Sequence, residues 1–354
     1  MSAPTEMIRA LIVDDSAVMR TLLRSVLGGC PRIELVGTAH DGPEGLAAIE
    51  TLRPDVVLLD IEMPRMTGLE VLAELRARHL SVRVIMCSTL TRRGAAITLE
   101  ALARGATDYV AKPSAQNGVR EGVETLSREL IPKILALFPV AGTHSPTDAP
   151  HLRSGASENT FGPGVVVVGV STGGPAALET FLPALPADFP LPILVVQHMP
   201  RLFTALLAER LDGICPLTVR EAGYGDHPKP GTVTLARGDW HMELAGSIAP
   251  YHLRLSQGLP EHFCRPSVDI LFRSAAARYG AETLAVILTG MGSDGLDGCR
   301  AIRAVQGKVL VQDKATSAVW GMPGAVAEAG LADRILPLDA MASAVIRHVS
   351  HHRP

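Results

Sequence analysis

Short β-branched runs alternate with amphipathic stretches along the first part of the chain. Residues 10–13, 33–36, 56–59, 82–86 and 109–110 are such runs, and each precedes a segment whose apolar positions recur three and four apart. This alternation predicts a five-stranded parallel, doubly wound α/β domain over residues 1–138. Over residues 139–164 the pattern lapses into Gly, Ser, Thr, Pro, Asn and His, which cannot supply a core face and reads as a linker. A continuous apolar run at 165–168 then opens a second α/β domain, 165–354, with further buried strands expected at 193–196 and 284–288. Helices are expected near 202–211, 267–279 and 340–349, and 231–257 reads as short strands and turns.

Composition narrows the function classes. With 354 residues, 47% hydrophobic and 19% charged, the chain is an ordinary folded protein of two domains. Its 33 basic and 36 acidic residues, net charge −3, give no electrostatic case for nucleic acid or an anionic membrane. No apolar stretch approaches the roughly 18 residues of a membrane-spanning helix, and the apolar start at Met7 runs into Asp14 and Asp15 instead of a cleavage site. The expected protein is cytoplasmic and not membrane-inserted. Five cysteines, Cys30, Cys87, Cys215, Cys264 and Cys299, lie far apart and read as reduced packing residues.

Ligands of a doubly wound sheet sit at the carboxyl ends of its strands, so the polar residues there carry the chemistry. In the first block these are Asp14 and Asp15, Asp60, Ser88 and Lys112. Three converging carboxylates repel unless a hard cation such as Mg²⁺ neutralises them, and a lysine with a hydroxyl suits a phosphoryl group. Taken singly, Asp15-Ser16 also fits a helix cap and Lys112 a solvated charge.

Val13-Asp-Asp-Ser16, Asp60-Ile-Glu-Met-Pro-Arg-Met-Thr-Gly68, Met86-Cys-Ser-Thr and Asp108-Tyr-Val-Ala-Lys-Pro113 together resemble the flavodoxin-like receiver domain of bacterial response regulators, over about residues 7–130. The resemblance implies phosphorylation at Asp60. It also implies Mg²⁺ held by Asp14, Asp15, Asp60 and the Glu62 carbonyl, phosphoryl contacts from Ser88 and Lys112, and Tyr109 as a switch residue. A core tyrosine is the competing reading of Tyr109.

In the second block the strand ends bring Ser171, His198 and Asp294, the components of an activated serine nucleophile. The strand-to-helix turn at Ser171 offers free N–H groups to a developing oxyanion. Each residue has a plainer reading as well. Gly169-Val-Ser-Thr-Gly-Gly resembles a phosphate loop without its lysine, Asp294 lies in an Asp-Gly turn, and His198 is one of 12 histidines.

Gly169-Val-Ser-Thr-Gly-Gly-Pro175, Gln197-His-Met-Pro200, Gly238-Asp-Trp-His-Met242, His262-Phe-Cys-Arg-Pro-Ser-Val-Asp-Ile-Leu-Phe272, Leu288-Thr-Gly-Met-Gly-Ser-Asp-Gly295 and Trp320-Gly-Met-Pro323 resemble the catalytic domain of the chemotaxis protein-glutamate methylesterase (CheB) family, over about residues 165–349. The resemblance implies Ser171, His198 and Asp294 as a catalytic triad and the backbone N–H groups of Thr172 and Met291 as an oxyanion hole, with no cofactor for the esterase reaction. It implies hydrolysis of glutamate γ-methyl esters on methyl-accepting chemoreceptors, deamidation of receptor glutamines, and activation by phosphoryl transfer from a CheA-type histidine kinase. Arg237 departs from the family, which usually has proline there, and His241 is read as a groove or packing residue. Two alternatives stay open: a phospho-switched module that binds without hydrolysis, and an esterase serving an array other than flagellar chemotaxis.

Overall fold

The computed structural model describes residues 7–113, 119–139 and 164–350. Most of the expected linker therefore lies outside the described residues. The chain divides into two compact units, Met1–Thr147 and Asp148–Pro354.

The first unit runs β1 (Ile8–Val13), α1 (Ala17–Gly28), β2 (Ile33–Ala39), α2 (Gly42–Leu52), β3 (Val56–Asp60), α3 (Gly68–Ala77), β4 (Arg83–Ser88), α4 (Arg92–Ala103), β5 (Asp108–Ala111) and α5 (Val119–Leu137). Its parallel strands lie in the order β2-β1-β3-β4-β5. The helix starts are set by side chains that accept orphan N–H groups: Ser16 from Met19, Asp41 from Glu44, and a Thr67–Glu70 capping box. The order reverses at β1 and β3, so Asp14 and Asp60 emerge side by side at the switch point.

The second unit begins with β6 (Val165–Val170), α6 (Gly174–Phe181), β7 (Ile193–Gln197), α7 (Arg201–Asp212), β8 (Thr218–Glu221), β9 (Thr232–Leu235), β10 (His241–Ala245) and β11 (His252–Ser256). It continues with α8 (Val268–Tyr279), β12 (Thr283–Ile287), α9 (Leu296–Ala304), β13 (Lys308–Gln312), α10 (Met322–Glu328), β14 (Arg334–Leu336) and α11 (Leu338–Ser350). Seven strands form one parallel sheet, β14-β13-β12-β6-β7-β9-β8, while β10 and β11 pair as an antiparallel hairpin. Every residue of β6, β7 and β12 is buried, as an interior strand covered on both faces requires. Helix α8 carries Leu271 and Phe272 into a core shared with Val167, Val196, Ile287 and the hairpin's Met242 and Leu253.

The segment expected to be short strands and turns divides: β9 joins the main sheet, and β10 and β11 form the hairpin. Strands β8, β13 and β14 lie outside the runs that the apolar pattern predicts. Among the described residues no helix is long and apolar enough to cross a membrane.

Candidate active site and phosphoacceptor site

In the second unit the sheet reverses direction of growth at β6, which is flanked by β7 and β12. Ser171 follows β6, His198 follows β7, and Asp294 lies in the turn beyond β12. Val170 is in register with Gln197, and the His198 N–H donates to the Val170 carbonyl at 3.2 Å, so Ser171 and His198 stand level on adjacent strand ends. The His198 imidazole meets Asp294 through Nε2 at 2.8 Å. Its Nδ1 faces the Cys264 Sγ at 3.5 Å. Among the described residues the Ser171 hydroxyl forms no hydrogen bond to His198; Nδ1 is the nitrogen the serine would have to reach.

Asp294 is 2% exposed and fully engaged. Besides His198 it accepts from Val268 N–H at 2.7 Å, Asp269 N–H at 3.0 Å and the Ser267 hydroxyl at 2.9 Å. These donors lie at the start of α8, whose positive end faces the carboxylate. Burial works against the charge of Asp294, but the imidazole and the two amides outweigh it and hold the carboxyl below its ordinary range. Burial also opposes a charge on His198. The contacts with Asp294 and Cys264 outweigh that and raise its pKa to about 9.

The main chain around Ser171 is tightly built. Its N–H donates to the Thr289 carbonyl at 3.0 Å, and its carbonyl accepts from the Gln197 side chain at 3.0 Å. Gln197, 2% exposed, also donates to the His198 carbonyl at 3.2 Å and thereby clips the two turns together. The Thr172 carbonyl accepts from Thr289 Oγ1 at 2.9 Å, and Gly173 takes φ +77° to enter α6. Opposite, residues 290–292 lie against Gly321, where a Cβ would come 2.7 Å from both Gly290 O and Gly292 N. Among the described residues the Met291 amide donates to no backbone carbonyl.

His241 is 1% exposed and bonds through Nε2 to the Leu259 carbonyl at 3.0 Å, so it anchors the 257–264 loop as a packing residue. Arg237 is half-buried, with Nε 3.8 Å from Glu221. The next residue, Gly238, presses its backbone against Pro200 and Arg201 in the turn behind His198 and donates to Thr204 Oγ1 at 3.0 Å.

In the first unit ligand atoms of Asp14, Asp15 and Asp60 lie within 4.8 Å of one another. Lys112 bridges two of them, 2.9 Å from Asp14 Oδ2 and 2.7 Å from Asp60 Oδ1. One lysine does not balance the cluster: burial first, and then the Asp14 charge, raises the Asp60 pKa to about 6. Ser88 is buried, and its hydroxyl accepts from Thr98 Oγ1 at 2.6 Å and donates to the Gly94 carbonyl at 3.3 Å. Glu62 follows Asp60 by two residues, and its exposed side chain pairs with Arg93 at 3.2 Å. Tyr109 is 6% exposed, with Lys133 Nζ 4.9 Å above its ring.

Gln197, Thr289, Ser267 and Cys264 join the site through contacts that the strand-end pattern does not predict. Gln197 carried a signal, a polar residue ending a fully apolar strand; the other three act through packing that sequence spacing does not show.

Comparison with known proteins places these geometries in context. A family model described as CheB methylesterase matches residues 166–345, and one described as response regulator receiver domain matches residues 10–124. A protein of Nocardioides sp. named protein-glutamate methylesterase/protein-glutamine glutaminase is 48% identical over 98% of this chain and 97% of its own length. A Trichodesmium erythraeum protein of the same name is 44% identical over 96% of this chain and 99% of its own. The crystal structure of the Thermotoga maritima CheB methylesterase catalytic domain covers 53% of this chain and 99% of its own, with 43% identity and a TM-score of 0.52.

Proposed function

This chain belongs to the CheB methylesterase family in its receiver-bearing form, and we propose from that premise that it hydrolyses glutamate γ-methyl esters on chemoreceptors through Ser171, His198 and Asp294. The observation that carries the reading is the 2.8 Å bond from His198 to Asp294 at a sheet switch point, with Ser171 in register beside it.

A rotation of the Ser171 side chain brings its hydroxyl to His198 Nδ1, the ring nitrogen that Asp294 leaves free. Nδ1 takes the proton as the oxygen attacks the ester carbonyl, and Asp294 stabilises the imidazolium through Nε2. The amides of Thr172 and Met291 receive the oxyanion, each worth roughly 3 kcal/mol in the transition state. His198 returns the proton to the departing methoxide, methanol leaves, and water hydrolyses the acyl-enzyme by the same proton path. A glutamine side chain passes through the same intermediate with ammonia leaving, so the site is also a deamidase.

The receiver supplies control. Asp60 accepts a phosphoryl group from a CheA-type histidine kinase, and its phosphorylation raises the esterase rate. The carboxylates of Asp14, Asp15 and Asp60 with the Glu62 carbonyl suit Mg²⁺, because three carboxylates converge there against the single ammonium of Lys112. When bound, Mg²⁺ offsets the charge of the incoming phosphoryl group. Ser88 turns from Thr98 to donate to a phosphoryl oxygen, Lys112 pairs with another, and Tyr109 follows as the switch.

The direct test is methanol release from methylated receptor by the parent and by Ser171→Ala. Loss of release in the variant is expected; equal release would end the serine-esterase reading. Activation by a small phosphodonor in the parent but not in Asp60→Asn tests the control.

A further inference from the structure

The Cys264 thiol lies 3.5 Å from the one imidazole nitrogen that Asp294 does not use. His198, Cys264 and Asp294 thus form a relay of their own, with ligand atoms within 4.8 Å of one another. Cys264 is half-buried, so small solutes reach it. It is aimed by a tight loop in which Glu261 and Cys264 exchange backbone hydrogen bonds at 3.1 and 2.8 Å, with His262 and Phe263 at φ 50° and 62° between them. The other four cysteines lack this setting. Cys87 and Cys299 are buried, and burial pushes both thiols up; Cys215 is pushed up to about 11 by burial and by Asp212 and Glu179. Among the five, Cys264 is the one in contact with an imidazole.

We propose that Cys264 is a modification site for hydroperoxides, and that its oxidation reversibly switches the hydrolase off. The proposal rests on the reading of His198 as the catalytic base. Nucleophilic sulfur is the thiolate, and an adjacent imidazole generates it. His198 Nδ1 takes the thiol proton, and a sulfur electron pair attacks one oxygen of hydrogen peroxide. The S–O bond forms as the O–O bond breaks, so sulfur is oxidised by two electrons and the peroxide is reduced. The departing hydroxide takes the proton from the imidazolium and leaves as water, and Cys264 becomes a sulfenic acid. The sulfenic hydroxyl, set beside the Sγ–Nδ1 contact, hydrogen-bonds to Nδ1 and so holds the nitrogen that Ser171 needs. A small thiol reductant removes that oxygen as water in two thiol-exchange steps and restores the site.

The experiment uses the full chain. Brief hydrogen peroxide treatment, quenched with catalase, is followed by two measurements: methanol release from methylated receptor, and labelling by a sulfenic-acid trap mapped by peptide mass. The parent is expected to lose most of its methanol release and to regain it with dithiothreitol. Cys264→Ala and Cys264→Ser are expected to keep the rate that each shows untreated. Labelling is independent of ester hydrolysis: it is expected at Cys264 in Ser171→Ala as in the parent, and to slow by about tenfold in His198→Gln. The proposal falls if the label distributes over the other cysteines, if His198→Gln labels as fast as the parent, or if Cys264→Ala is inactivated like the parent. Failure of the esterase reading has a different signature, an untreated parent that releases no methanol while Cys264 still labels selectively.

Discussion

The Gln197 side-chain amide donates to the Ser171 carbonyl at 3.0 Å, tying the end of β7 to the turn that carries Ser171, 26 residues earlier. Its second bond, to the His198 carbonyl at 3.2 Å, puts both turns on one side chain. The amide has little freedom, because Gly174 lies directly against its oxygen and a Cβ there would collide with it. Gln197 is a positioning residue, and it acts on the approach of Ser171 to His198.

Gln197→Leu keeps the volume and removes both bonds. The expected result is a fall in kcat of about tenfold or more with a smaller change in KM, because misplacement of reacting groups costs rate before binding. The Ser171 carbonyl keeps its bond from the Gly174 N–H at 2.8 Å, so the His198 carbonyl is the one left without its donor, and stability falls by about 1 kcal/mol. Steady-state kinetics and denaturant unfolding check the two effects; a change confined to KM would contradict the positioning role.

Gly290 supports Ser171 from the other side. A Cβ at position 290 would come 2.9 Å from the Ser171 Cβ and run into the Met322 Sδ. Gly290→Ala is expected to cost about 1–3 kcal/mol by overpacking and to depress kcat. Adding Met322→Ala frees the sulfur's space and restores part of the stability, while Ser171 stays displaced and kcat stays low. Recovery of both together would place the strain at Met322 alone.

The fold and the strand-end residues were legible because their signals are local. Fully apolar β6, β7 and β12 announce interior strands, and the polar residues that end them stand where a parallel sheet collects its ligands. The partner of Nδ1 was not legible. Cys264 comes from a loop far along the chain and reaches His198 only because α8 begins under Asp294 and fixes where that loop ends. Strand β13 escaped because its apolar run is only Val309–Val311, too short between Lys308 and Gln312 to stand out as a buried strand. The cap at Ser267 was equally hidden: its hydroxyl serves Asp294, not its own helix.

The first unit carries a stability cost at its own site. Asp60 has a folded pKa of about 6 against an ordinary 3.8, so the folded state binds the proton more tightly. The stabilisation it gives is complete below about pH 3.8 and is lost as pH rises through 6. Asp60→Asn removes that loss, and at pH 7 it is expected to raise the stability of the receiver unit by on the order of 2 kcal/mol and to flatten its pH dependence across this window. Mg²⁺ is expected to raise the melting temperature of the parent far more than that of the variant, since Asn supplies no charge to the ion. Thermal scans with and without Mg²⁺ check both; equal Mg²⁺ responses would remove Asp60 from the metal set.

The pH dependence of hydrolysis reads the His198 environment directly. On the proposed mechanism Ser171 is activated only when Nδ1 is free of its proton, and the Asp294 and Cys264 contacts raise the His198 pKa to about 9. A raised pKa means that activity is lost as pH falls through it, so kcat/KM is expected to climb with pH along a limb well above the ordinary histidine value of about 6.5. Asp294→Asn removes the hydrogen bond that is the largest single support of the raised value. Its limb is expected to move down in pH, while the rate on the plateau drops by about 10⁴-fold, because the ring loses both its tautomer and its counter-charge. Cys264→Ala removes the other support, so its limb also moves down, while its plateau survives because Asp294 still holds the ring. A parent limb at or below 6.5, or one unmoved in both variants, would mean that a group other than His198 governs the proton transfer.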